Sequence, residues 1–214
     1  MLRGGSANTT TMARKTGSTL SGKLGDKIHY TWHGRPCERS MPQHVHNPRT
    51  EAQQAHRLAF ATVSRLSSCM KEAHLIGLHA LAVREKNSTY ALFKHLNKDC
   101  VLADGQVDYA SLVVSHGPVP PVDLVSAHIE GGTLAVAFDS RATRGRAADE
   151  FHLFVLCPAA GAGQLAPPVP RGAGALTLSL PEGWASCTLH LYAFLRSSQG
   201  RTSDTLYRPL DPHC

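Results

Sequence analysis

The sequence predicts an α+β protein in which an N-terminal β-hairpin and helices are followed by a C-terminal antiparallel β-sandwich. Three observations carry this reading. Residues 26–41 alternate apolar and polar about a glycine turn. From Thr50 onward an apolar stripe recurs at spacings of three and four. Beyond residue 121, short strand-like runs alternate with Gly/Pro-rich breaks. At 214 residues the chain can bury one or two cores without metal or disulfide staples. Hydrophobic residues at 42% and charged residues at 18% exclude disorder for the bulk of it.

Taken in order, residues 1–11 (MLRGGSANTTT) have the composition of a flexible leader, and Met12 is a candidate start. Ile28, Tyr30 and Trp32 then alternate with His29, Thr31 and His33, so a half-buried strand is expected with its aromatic residues toward the core. Gly34 supplies the turn and residues 35–41 return, with Pro36 fitting only an edge or a bulge. In Asn47-Pro48-Arg49-Thr50-Glu51-Ala52-Gln53, Thr50 and Gln53 form a capping box, and Pro48 bars helix upstream. Ala52, His56, Ala59, Phe60, Val63, Leu66 and Met70 place one apolar stripe along the helix that follows. A second helix, capped by Asn87 or Ser88, carries Tyr90, Leu92, Phe93 and Leu96. Residues 74–83 between them are ambiguous between helix and strand.

Gly117-Pro118-Val119-Pro120-Pro121 reads as a rigid joint. The expected organisation is a leader at 1–11, a basic hairpin-and-helix domain at 12–116, the joint at 117–121 and a sandwich at 122–210. Strands are expected near 124–129, 133–138, 150–157, 175–180, 187–196 and 205–207. Six or seven strands in about 90 residues is the size of a fibronectin type III or immunoglobulin-like domain.

Several motifs resemble a known family. Met12-Ala13-Arg14, then Gly22-Lys23-Leu24-Gly25, the hairpin ending at Pro42, the N-P-R-T-x-A-Q segment at 47–53 and the Ser203 to Tyr207 ending resemble an uncharacterised Bacteroidota family, domain of unknown function 6266, over about residues 12–208. Related N-P-[KR]-T-x-A-Q segments resemble phage- and prophage-encoded proteins. The resemblance implies a fold and no catalytic residues.

Charge is uneven. Residues 1–120 hold 15 Lys+Arg against 8 Asp+Glu, whereas residues 121–214 hold 7 against 8. Lys23, Lys27, Arg35, Arg39, Arg49 and Arg57 are therefore the candidate interaction surface, and together with Tyr30 and Trp32 they suit nucleic acid. Burial of the two aromatics would remove that use. His29, His33, Cys37, His44 and His46 form the nearest approach to a metal cluster, with His29 and His33 sharing a strand face, but their spacing matches no established zinc pattern. His95 and Cys100 lie close in sequence across a helix end, which argues against a catalytic dyad. G-x-S-x-G, G-x-G-x-x-G, the P-loop and H-E-x-x-H motifs do not occur. The six cysteines form no C-x-x-C pair and are expected reduced, with Cys157 and Cys187 the pair to test for proximity. The expected function is thus a non-enzymatic structural or protein-interaction module, phage-related or self-assembling, without cofactors. A nucleic-acid-associated protein is the alternative, and a small metal-binding protein or enzyme is the second alternative. With no apolar signal block at the start, synthesis and residence in the cytoplasm or in an assembly such as a virion are expected, without membrane insertion.

Overall fold

The computed structural model describes residues 14–16, 19–32, 34–42, 49–102, 104–141 and 147–212. The chain is mixed α+β and divides into two compact units, Met1–Arg49 and Thr50–Cys214.

The first unit is a four-stranded antiparallel sheet of order β1-β2-β3-β4, formed by β1 (Arg14–Thr16), β2 (Thr19–Leu24), β3 (Lys27–Trp32) and β4 (Arg35–Ser40). The expected hairpin is its β3–β4 pair, with Trp32 opposite Arg35 and Lys27 opposite Ser40. Gly34 turns it at φ +78. Pro36 sits on the edge strand, where its missing N–H breaks no ladder. The two further strands extend the pattern upstream, where Gly- and Ser-rich text conceals them.

In the second unit the helices α1 (Glu51–Cys69), α2 (Lys71–Gly77), α3 (His79–Arg84) and α4 (Thr89–Leu96) precede eight strands. The caps are local and behave as their residues dictate. The Gln53 N–H donates to Thr50 Oγ1 at 3.3 Å, and the Ala91 N–H donates to Ser88 Oγ at 3.1 Å. The ambiguous stretch 74–83 is helical, broken only at Leu78.

Strands β5 (Leu124–Glu130), β6 (Thr133–Phe138) and β10 (Ala175–Ser179) form a three-stranded antiparallel sheet of order β10-β6-β5. A larger sheet of order β12-β11-β7-β8 is formed by β7 (Glu150–Cys157), β8 (Ala162–Leu165), β11 (Leu189–Arg196) and β12 (Leu206–Leu210), and the short β9 (Val169–Pro170) also pairs with β7. Phe151, Leu153, Val155 and Cys157 of β7 and Leu189, Leu191, Ala193 and Leu195 of β11 meet Leu134, Val136, Phe138, Leu176 and Leu178 of the smaller sheet in one core. The alternate residues Phe154, Leu156, Tyr192 and Phe194 enter a second core with Val63, Met70, Ala73, Leu78 and Phe93 of the helices.

This double-sided burial explains why β7 and β11 read as unbroken apolar runs rather than alternating ones. It also groups the helices with the sheets, and the division between compact units falls ahead of α1. The Pro-rich joint lies within the second unit and is held there by hydrogen bonds. The Gly117 N–H donates to Asp204 Oδ1 at 3.2 Å and the Val119 N–H to the Thr202 carbonyl at 3.0 Å. In the segment just ahead of it, Thr205 Oγ1 accepts from the Val114 and Ser115 N–H groups, each at 2.9 Å, Asn97 bonds the Val113 carbonyl at 2.9 Å and the Val113 N–H at 2.7 Å, and Thr202 Oγ1 donates to the Gly77 carbonyl at 3.0 Å. The fit at Gly77 is so close that a methyl group there would collide with the Val114 carbonyl and Ser115.

Three histidines belong to the second core's side of the sheet and helices. Burial holds His74 and His152 below the ordinary imidazole range, and His190 likewise. His74 Nε2 lies 3.0 Å from the Ser67 carbonyl, while His152 stacks on Phe194 with centroids 5.1 Å apart.

Two outcomes follow from this packing. Gly77→Ala lowers unfolding free energy by about 3 kcal/mol through overpacking, and Thr205→Val does so by about 2 kcal/mol through orphaned N–H groups; urea titration measures both. The second outcome concerns pH. The unfolded histidines titrate near 6.5, above their folded values, so the unfolded chain takes up protons first on acidification. Stability is full above about pH 6.5 and falls as pH drops below it, and His152→Phe flattens that dependence in urea midpoints measured across the range.

Candidate functional site

Two surfaces of this protein combine exposed aromatic rings with cations, one in each unit. The first lies between α1 and α4. The sequence places Ala52, His56, Ala59 and Phe60 on the same stripe as Val63 and Met70, yet only the later part of that stripe is covered. Val63 and Met70 are buried, whereas residues 51–58 are exposed and Phe60 is 55% exposed. The reason is length. At 1.5 Å per residue the eight-residue α4 cannot cover the nineteen-residue α1.

The uncovered part borders a groove of 420 Å³ lined by His56, Ala59, Phe60, Lys94, His95 and Lys98, among others. Lys94 sits at the position one turn after Tyr90, which brings its Nζ 4.1 Å from the Tyr90 ring centroid and 4.7 Å from that of Phe60. A second hollow of 180 Å³ adjoins it, sharing His56 and Ala59 and reaching Leu58, Val101 and Leu102. Leu58 is 53% exposed and Tyr90 43% exposed. This groove was not among the candidate residues, because helical periodicity alone assigns Phe60 to the core. The i, i+4 pair Tyr90 and Lys94 was its one sequence signal.

The second surface is a face of the N-terminal sheet. Lys23 stands opposite Ile28, Ile28 opposite Arg39, Tyr30 opposite Cys37 and Trp32 opposite Arg35. Directly opposed residues share a face, so these seven residues form one side of the sheet. Lys27 lies on the other side, where its Nζ meets Glu38 Oε1 at 2.7 Å. That hydrogen bond and charge hold the Glu38 carboxyl below its usual range and raise Lys27. Of the six candidate cations, Lys23, Arg35 and Arg39 are thus brought together, and Lys27 is not. Arg49 directly precedes the N-cap of α1 and Arg57 lies on that helix. The expectation that Tyr30 and Trp32 face a core is overturned, since they are 38% and 64% exposed. Alternation assigns them correctly to one face, but both side chains are exposed there.

The other candidate chemistry is dispersed. His29 stands opposite Glu38 and so faces away from Cys37, and His33, His44 and His46 lie outside the described residues. Among the described residues, no group of three or more His, Cys, Asp and Glu side chains is placed to hold a metal ion. Burial pushes the Cys100 thiol up, which opposes the thiolate that a nucleophile requires, and His95 is exposed on α4.

A cavity of 590 Å³ is lined by Leu81, Arg84, His116, Arg201 and Thr202, among others. Beside it His116 Nδ1 pairs with Asp204 Oδ1 at 2.7 Å. The hydroxyls around this Asp–His pair are engaged elsewhere. Thr202 donates to backbone carbonyls, Ser115 donates to the Ser203 carbonyl at 2.6 Å, and Ser203 accepts from the Leu195 N–H at 2.9 Å.

Cys157 is buried between the sheets, and burial pushes its thiol up with a further contribution from the adjacent Cys187 thiol. Cys69 donates to the Gly161 carbonyl at 3.0 Å. Under non-denaturing conditions at mildly alkaline pH, Ellman's reagent reacts first with the half-buried Cys37 and Cys187, while Cys100 and Cys157 react only at the rate of unfolding. Mass spectrometry of the labelled peptides reads that order.

No helix among the described residues is long and apolar enough to cross a membrane. No protein of curated function matches the chain. Among solved structures it is similar to the solution structure of the fn3 domain of human collagen alpha-1(XX) chain, at 23% identity over 45% of this chain and 87% of that one, with a TM-score of 0.34. A family model matches residues 19–207, which span β2 to β4 of the N-terminal sheet, the helices and the C-terminal strands as far as the start of β12, and the chain belongs to that family, the family of unknown function DUF6266.

Proposed function

We propose that this chain is a non-enzymatic protein-interaction module that self-associates through the groove between α1 and α4. In this reading the two C-terminal sheets form a fibronectin type III or immunoglobulin-like sandwich that acts as scaffold. The observation that carries the proposal is the exposure of Phe60 and Tyr90 about Lys94 at the groove, with exposed Leu58 in the hollow that adjoins it. Contiguous exposed apolar and aromatic side chains with a polar rim are characteristic of contact surfaces, because their burial against a partner releases water from large apolar areas. Lys94 and Lys98 supply the rim. The engagement of Ser115, Thr202 and Ser203 in backbone hydrogen bonds supports a role without covalent chemistry. The likeness of the segment at 47–53 to phage and prophage proteins supports an assembly role, since α1 begins within that segment.

Light scattering across a concentration series tests the proposal. The expected result is a mass that rises with concentration in the wild type and stays monomeric in Leu58→Glu with Phe60→Glu, whose side chains are already exposed and whose loss leaves the core intact. A wild type that is monomeric throughout, or an assembly indifferent to both substitutions, sinks it.

A further inference from the structure

Arg84, His116 and Arg201 come from three separate segments and line one cavity. This space of 590 Å³ lies within the second unit, bordered by α3, the start of the Pro-rich joint and the chain between β11 and β12. Ala80, Leu81 and Pro118 add an apolar lining. The positive charge here is not the by-product of a basic body. Residues 1–49 hold 8 Lys+Arg against 2 Asp+Glu, so the chain's formal excess belongs to the first unit, and residues 50–214 hold the remaining 14 against 14. Within that balanced unit, and among the described residues, no carboxylate lines the cavity.

The three cations have weak or incomplete engagements. Arg84 Nη2 meets the neighbouring Glu85 at 3.5 Å, with the arginine side chain 72% exposed, and an ion pair so open to water contributes little and exchanges readily. His116 pairs with Asp204 through Nδ1, which leaves Nε2 as its other polar atom. Among the described residues, Arg201 makes no ion pair. The walls, by contrast, are fixed. Thr202 Oγ1 lies 3.0 Å from the Gly77 carbonyl and 3.1 Å from the His116 carbonyl, so one side chain ties the strand side of the cavity to the helices and to the joint. A Cβ at residue 117 would collide with the Thr202 carbonyl. A cavity held in this way has its shape before a ligand arrives, and binding there carries little ordering cost.

We propose that this cavity binds a small organic phosphate monoester, with Arg84, Arg201 and His116 meeting the phosphate and the apolar lining taking the organic body. A cleft lined by charge of one sign concentrates the opposite ion, and guanidinium forks match phosphate oxygens in pairs. Three donor groups suit the three terminal oxygens of a monoester, one more than a carboxylate offers. The volume falls in the range of small-molecule sites, about 300–1,000 Å³, and a mostly apolar wall with a few polar groups is their usual make-up. Inorganic phosphate would leave that apolar wall unused. With Ser115 and Thr202 engaged by backbone carbonyls, the cavity offers recognition rather than a nucleophile. It is separate from the α1–α4 groove, and neither reading needs the other.

Isothermal titration calorimetry and equilibrium dialysis on the full chain at low ionic strength test this, with phenyl phosphate, inorganic phosphate, phenylacetate and a phosphotyrosine peptide as probes. Phenyl phosphate is expected to bind at one site per chain. It should bind more tightly than inorganic phosphate, which lacks the body, and than phenylacetate, which lacks the third oxygen. Arg84→Gln and Arg201→Gln should each lower its affinity about tenfold. Arg65→Gln removes the same charge from α1, away from the cavity, and should leave the affinity nearly unchanged. All three arginines are exposed, so these chains keep their cores, and thermal unfolding without ligand checks that. No binding of phenyl phosphate by either method, or binding undiminished in Arg84→Gln and Arg201→Gln, overturns the proposal. An equal loss in Arg65→Gln would reduce the effect to diffuse charge and overturn it as well. Preference for phenylacetate would sink the phosphate assignment, and a peptide bound about tenfold more tightly than phenyl phosphate would sink the small-molecule one.

Discussion

The second unit depends on the burial of β7 and β11 from both sides. Each of these strands sends one set of side chains toward the smaller sheet and the intervening set toward the helices, so neither layer can leave without exposing half of two central strands. Burying a single Leu or Phe contributes roughly 1.5–3 kcal/mol, which makes these strands the main source of cohesion. The constraint reaches outward to the chain that links the helices to β5. That segment must run along the edge of a filled core, where unpaired backbone groups would be costly, and Asn97, Thr202 and Thr205 satisfy them. The Ser203 to Tyr207 ending, which stands out in the sequence as a family-like motif, has a structural role: Ser203 accepts from a β11 N–H, and the Tyr207 hydroxyl lies 2.8 Å from His190 Nδ1.

What could be read directly from the sequence was what is decided locally. Thr50 and Ser88 announce their helices because capping involves only the next three residues. Alternation placed Ile28, Tyr30 and Trp32 on one face for the same reason. Coverage of that face is a property of distant chain, and here the expectation failed. The run Glu150–Cys157 was recognised as a strand, but its lack of alternation also signalled a second covered face, which would have joined the helices to the sheets. Strands β8 and β9 were missed because the Gly-, Pro- and Ala-rich span between residues 158 and 174 has weak strand propensity; pairing with β7 imposes their conformation.

The candidate cations show the same limit. Six were named from composition, and register sorts three of them onto the aromatic face and turns Lys27 away. The α1–α4 groove was invisible to periodicity because a helical stripe does not announce where its partner stops. Histidine and cysteine content suggested chemistry, yet His74, His152, Cys100 and Cys157 are absorbed into cores as neutral side chains. Burial favours the uncharged form of each, so their abundance is compatible with packing alone.

The partition of charge bears on how the protein behaves in solution. A body with as many acids as bases has little electrostatic repulsion between copies at neutral pH, and such bodies associate and precipitate most readily. Residues 50–214 are such a body, and they carry the exposed apolar groove as well. The basic segment at residues 1–49 therefore acts as the chain's solubilising segment, and a fragment starting at Thr50 would be the less soluble form of this protein.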